Sequence, residues 1–98
     1  MLQQVLAQNP EDVFARYGLA MERAKAGDIE AALAEFTTLM DKHPDYVPAY
    51  QMAAQMLATA GRADEARSFL ERGIRAAQQA GKQHAQSEME SLLEEISR

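Results

Sequence analysis

Apolar residues along this chain recur three and four positions apart, and the recurrence breaks at regular places. Leu2, Val5 and Leu6 share one helical face, and Asn9-Pro10 ends that short segment. Ala15, Leu19, Ala20 and Ala24 continue at helical spacing from about residue 12 to Ala26, where Gly27 offers a left-handed stop. Asp28 is placed to cap the next helix, whose stripe is Ile29, Ala32, Leu33, Phe36, Leu39 and Met40, ending at His43-Pro44. The plan then repeats. Asp45 is the expected cap, Pro48 fits a first turn, and Tyr50, Ala53, Ala54 and Leu57 form the buried stripe up to Gly61. Ala63, Ala66, Phe69, Leu70 and Ile74 line a longer helix running to about Ala80, before Gly81. Ala85, Met89, Leu92, Leu93 and Ile96 share a face on a last segment, with Glu88, Glu90, Glu94 and Glu95 left in water. Ser87 and Glu90 could form a capping box, but they fit better inside a helix already begun near Lys82.

The repetition has a fixed period of 34 residues, the separation of Pro10 from Pro44. At that offset Val13 falls on Val47, Ala15 on Ala49, Ala20 on Ala54, Ala24 on Ala58, Ala26 on Ala60, Gly27 on Gly61 and Ala32 on Ala66. A period of this length is the mark of stacked helix-turn-helix units that bury faces against each other. Composition agrees. Hydrophobic residues make up 47% of the chain but aromatic ones only 6%, so the material suits close helix packing through alanine rather than a β-core.

The recurring small residues, glycine stops and prolines resemble the tetratricopeptide repeat. A first unit matches that pattern at Leu19, Ala20, Gly27, Ala32, Phe36 and Pro44, and a second at Tyr50, Ala54, Gly61, Ala66 and Leu70. The resemblance covers residues 10–77. It implies an all-α fold, a right-handed stack of antiparallel helix pairs within one domain: a partial helix over 1–9, repeats over 10–43 and 44–80, and a capping helix over 82–97. Arg16 and Arg23 stand where the family carries a bulky residue and a tyrosine, and are expected to form a charged edge that stops stacking. Ala53 for leucine and Gly73 for alanine imply looser packing in the second unit. Arg67, Glu71 and Arg75, four residues apart, are expected to form a ladder of ion pairs on an outer face.

Charge and motifs narrow the function. The formal charge of −5 argues against nucleic acid, which needs clustered Lys and Arg. With no cysteine there is no thiolate chemistry, disulfide or cysteine zinc site. No apolar run reaches membrane-spanning length, and the first residues lack a basic start and apolar core, so a cytoplasmic location is expected. The glycines form no phosphate loop or dinucleotide fingerprint. His84 and Glu88, at i and i+4, are two potential metal ligands but read better as an exposed pair. No catalytic residue, cofactor or metal is expected.

What remains is binding. In the family the first helix of each unit lines a concave surface that holds partners. The resemblance carries this role onto Phe14, Tyr17, Met21 and Lys25 in the first unit, and onto Gln51, Gln55 and Thr59 in the second. Tyr17 and Met21 stand where some relatives place a Lys/Asn clamp for a peptide carboxylate, so that clamp is absent, and an apolar helix or extended segment suits the face better. Phe14, Tyr17 and Met21 lie on a face other than that of Leu19 and Ala20, which sets them outside their own repeat's core. The reading is a non-catalytic adaptor for a protein or peptide partner. The alternatives are a self-associating unit or homodimer and, more distantly, an enzyme subunit; on a separate reading, Phe14 and Tyr17 are simply covered by the chain's own last helix or by a second copy.

Overall fold

Six α-helices and no strand make up the computed structural model, which describes residues 1–98: α1 (Leu2–Gln8), α2 (Val13–Lys25), α3 (Ile29–Lys42), α4 (Val47–Thr59), α5 (Ala63–Ala80) and α6 (Gln83–Ile96). The chain divides into two compact units, Met1–His43 and Pro44–Arg98.

Each expected break is made by local chemistry. Gly27, Gly61 and Gly81 take φ of 83°, 79° and 69°, the left-handed conformation that other residues avoid. At each, two backbone N–H groups reach back to the last turn. Asp28 N–H donates to Arg23 O at 2.9 Å and Gly27 N–H to Ala24 O at 3.1 Å; Arg62 N–H to Leu57 O and Lys82 N–H to Ala77 O repeat the first of these, at 2.8 and 2.9 Å. This pattern satisfies carbonyls the helix end leaves open. At the starts, the Asp12 carboxylate accepts from Ala15 N–H at 2.9 Å and that of Asp28 from Ala31 N–H at 3.2 Å. Asp45 does not cap α4: the cap position falls on Tyr46, without a side-chain bond, and Pro48 occupies the first turn. α6 begins at Gln83, so Ser87 and Glu90 lie inside it.

In the first unit α2 pairs with α3, and α1 lies against α2. Its core is Ala15, Leu19, Ala20, Ala32, Phe36, Leu39 and Met40. α1 buries no residue fully; Leu2 reaches toward Gly18, where a Cβ would stand 3.1 Å from its methyl. Arg16 and Arg23 are not a free charged edge. Both converge on Glu35 of α3, Arg16 Nη1 at 2.7 Å and Arg23 Nε at 3.8 Å, and each is half-buried. Their length explains the difference, since an arginine can lay its stem along apolar surface and carry its head to a neighbouring helix.

In the second unit α4 pairs with α5, and α6 packs on α5 with a lesser contact to α4. Val47, Ala49, Tyr50, Ala53, Ala54, Leu57, Ala66, Leu70, Ala76, Ala77 and Met89 are buried, while Phe69 and Ile74 are half-buried. Ala20, Ala32, Ala54 and Ala66 have no exposed surface, as helices that approach closely require. Packing at Gly73 is tight rather than loose. A Cβ there would lie 2.6 Å from Tyr50 Cβ and 2.6 Å from Met89 Sδ. The missing side chain is what lets three helices meet. The outer ladder does not form as a ladder either: Arg67 turns to Asp64 at 2.8 Å, and Arg62 holds Glu65 through Nε at 2.7 Å and Nη2 at 2.9 Å.

Candidate protein-binding faces

On α2 the four residues expected to bind diverge. Phe14 is 78% exposed, a large apolar ring in water one residue past the helix start. Tyr17 is half-buried and meets Phe36 edge-on, ring centroids 6.2 Å apart at 66°. That contact belongs to the repeat's own core, so the face of Phe14, Tyr17 and Met21 is not separate from it. One turn of helix carries Tyr17 round far enough for its long ring to touch α3. Met21 is half-buried and Lys25 exposed in the last turn, where a cation suits the helix dipole.

On α4 the same division appears. Gln55 and Thr59 are exposed, whereas Gln51 is half-buried and donates from Nε2 to Glu88 Oε1 of α6 at 3.1 Å. Glu88 Oε1 also lies 3.6 Å from His84 Nε2, the exposed pair expected from their spacing. No group of three His, Cys, Asp or Glu residues is gathered to hold a metal. Between the starts of α4 and α6 a mostly apolar groove of about 360 Å³ runs past Tyr46, Val47, Pro48, Gln51, Lys82 and Ala85. Burial raises the Tyr46 phenol above its ordinary pKa, so it stays neutral.

Electrostatics at the edges are simple. Lys42 Nζ donates to Glu11 Oε1 at 3.0 Å and holds that carboxyl below the usual range, with His43 Nε2 3.8 Å from its other oxygen. Arg62 lowers Glu65 in the same way. Spacing did not reveal two features. Glu35 collects two arginines from α2, and Arg72 lies over the rings of Tyr50 and Phe69, its Cζ 5.6 and 5.8 Å from their centroids. The first joins α2 to α3 and the Arg72–Tyr50 contact joins α5 to α4, links that a single-helix pattern does not register.

Comparison with known proteins gives this arrangement its relatives. A family profile described as tetratricopeptide repeat matches residues 23–95. The chain belongs to the tetratricopeptide repeat family. The match runs into α6, which the resemblance over residues 10–77 leaves out. A tetratricopeptide repeat domain protein from Salinibacter ruber, solved by NMR, is 34% identical with a TM-score of 0.82, over 90% of this chain and 89% of that one. A Bordetella parapertussis protein solved in solution is 29% identical with a TM-score of 0.84, over 99% of this chain and 84% of its own. A TPR repeat-containing protein of Pseudomonas aeruginosa is 27% identical, covering 99% of this chain and 92% of the relative. The fold is thus the all-α helical repeat of the tetratricopeptide family, whose domains are typically protein-interaction modules. No helix is long and apolar enough to cross a membrane.

Proposed function

We propose that the protein is a non-catalytic interaction module that holds a protein or peptide partner on the exposed face of α2, with Phe14 as the anchor. Phe14 carries this reading: a phenyl ring 78% exposed on a capped helix is stabilising only once a partner covers it. Met21 and Lys25 continue the same side of α2. Aromatic anchors ringed by weaker polar contacts are the usual distribution of energy in an interface. Tyr17 has a different part, bracing the anchor's helix against Phe36.

The test is Phe14→Ser alone, because a double change with Tyr17 would also disturb the core. The variant is expected to melt as the parent does, since it removes little buried surface. Binding to a partner identified by crosslinking at position 14 should fall at least tenfold, the scale of a lost hot-spot residue at about 2 kcal/mol. Unchanged binding would refute the α2 reading. Loss of a homodimer in sedimentation analysis would assign the face to a second copy instead.

A further inference from the structure

Most cations of this molecule are matched to acids: Arg16 and Arg23 to Glu35, Lys42 to Glu11, Arg62 to Glu65, Arg67 to Asp64, Arg98 to Glu94. Arg72 is not. Its guanidinium makes no ion pair and is held instead by two aromatic rings, those of Tyr50 on α4 and Phe69 one turn back on α5. The Tyr50 ring cannot drift, because its hydroxyl donates to Pro44 O at 2.7 Å and its Cβ is wedged against Gly73. Three residues on, Arg75 is exposed and also makes no ion pair, although Glu71 stands four residues before it. Residues three apart on a helix are surface neighbours.

Two unneutralised arginines side by side are unusual in a chain whose net charge is −5. A guanidinium laid on rings keeps its planar fork of N–H donors available and has already lost much of its rotamer freedom. That fork matches a carboxylate better than any neutral acceptor. Arginine beside aromatic rings is also the composition of interface anchors.

We propose that Phe69, Arg72 and Arg75 form a second docking surface, on α5, for an acidic segment of a partner protein. Carboxylates of that segment take the donors of Arg72 and the charge of Arg75, while Phe69 meets its apolar part. The surface lies on a different helix, in the second unit, and its residues are not those proposed on α2.

The test uses the full chain and a fluorescein-labelled helical peptide of alternating Glu and Ala turns, followed by anisotropy, with a Gln-for-Glu peptide as control. The Glu peptide is expected to bind, and to weaken as salt is raised. Arg75 is exposed, so Arg75→Ala should leave the fold intact and lose about tenfold in affinity, as for one charge-assisted hydrogen bond. Arg72→Lys should lose a similar factor, because a point charge cannot reproduce the ring-held fork. Lys82→Ala should bind as the parent. Equal binding of the Gln peptide, parent-like affinity in Arg75→Ala, or an equal loss in Lys82→Ala would overturn the assignment. So would tighter binding of tripolyphosphate than of the peptide, or salt-sensitive self-association that Arg75→Ala abolishes.

Discussion

Replacing Gly73 by alanine isolates the closest helix contact in the second unit. In an ordinary helix interior the change is stabilising, by about 1 kcal/mol, because alanine loses less backbone freedom on folding. Here the new Cβ would stand 2.6 Å from both Tyr50 Cβ and Met89 Sδ, and 3.3 Å from Tyr50 Cγ. Met89 is flexible and can yield. Tyr50 Cβ cannot, since it hangs directly from the α4 backbone, so α4 and α5 must part by about 0.8 Å to reach ordinary contact near 3.4 Å. Inserting a methyl group into a packed core costs about 1–3 kcal/mol, and a clash against near-backbone atoms belongs at the upper end. Subtracting the helix gain leaves a net loss of about 2 kcal/mol, a drop in Tm of roughly 8–16 °C for a domain of this size. Urea titration followed by circular dichroism measures it directly. Gly18→Ala is the control: its Cβ meets only the methyl end of Leu2, at 3.1 Å, and the variant should be as stable as the parent or more so. If Gly73→Ala matched Gly18→Ala in stability, the close approach of α4, α5 and α6 would be refuted.

Glu35→Ala should destabilise the first unit by about 1–2 kcal/mol, since it strips the hydrogen-bonded carboxylate from Arg16 and the nearby counter-charge from Arg23 while both remain half-buried; denaturant midpoints check this, and a shift below a few tenths would show the arginines resolvate freely. Carboxyl chemical shifts should titrate below the ordinary value of 4.5 at Glu11 and Glu65, held down by hydrogen bonds from Lys42 and Arg62. Because these folded-state pKa values are lowered, the stabilisation is present above the unfolded value and is lost as pH falls through the folded ones, so acid below about 4.5 weakens both contacts. Midpoints at or above 4.5 would show the two pairs to be absent in solution.

The helices were legible because their signals are local. A left-handed glycine, an aspartate cap and an apolar stripe each act within one or two turns, so reading outward from Gly27 and Gly61 locates α2 to α5 within a residue or two. Asp45 misleads because Tyr46 and Pro48 also compete for the start of α4. The site was less legible. Phe14 is exposed as expected, but Tyr17 turns to Phe36 and Gln51 to Glu88, and both partners come from other helices. Gly73 misleads for the same reason: an absent side chain reads as a gap until the neighbours that fill it, Tyr50 and Met89, are known. Arg72 is missed for the same reason, since the Tyr50 ring it lies over comes from α4.

The three reversals closed by Gly27, Gly61 and Gly81 also bear on how the chain finds its fold. Each satisfies the end of one helix and the direction of the next within a handful of residues, and the main helix pairings in each unit join neighbours in sequence. Little loop-closure entropy therefore stands between the unfolded chain and its first stable pair of helices. The barrier is set by local search, which puts this chain among the fast-folding helical proteins, with relaxation on the order of microseconds to milliseconds. Such a chain spends little time with open apolar surface during synthesis, so the exposed ring of Phe14 is carried almost from the start by a helix already in place.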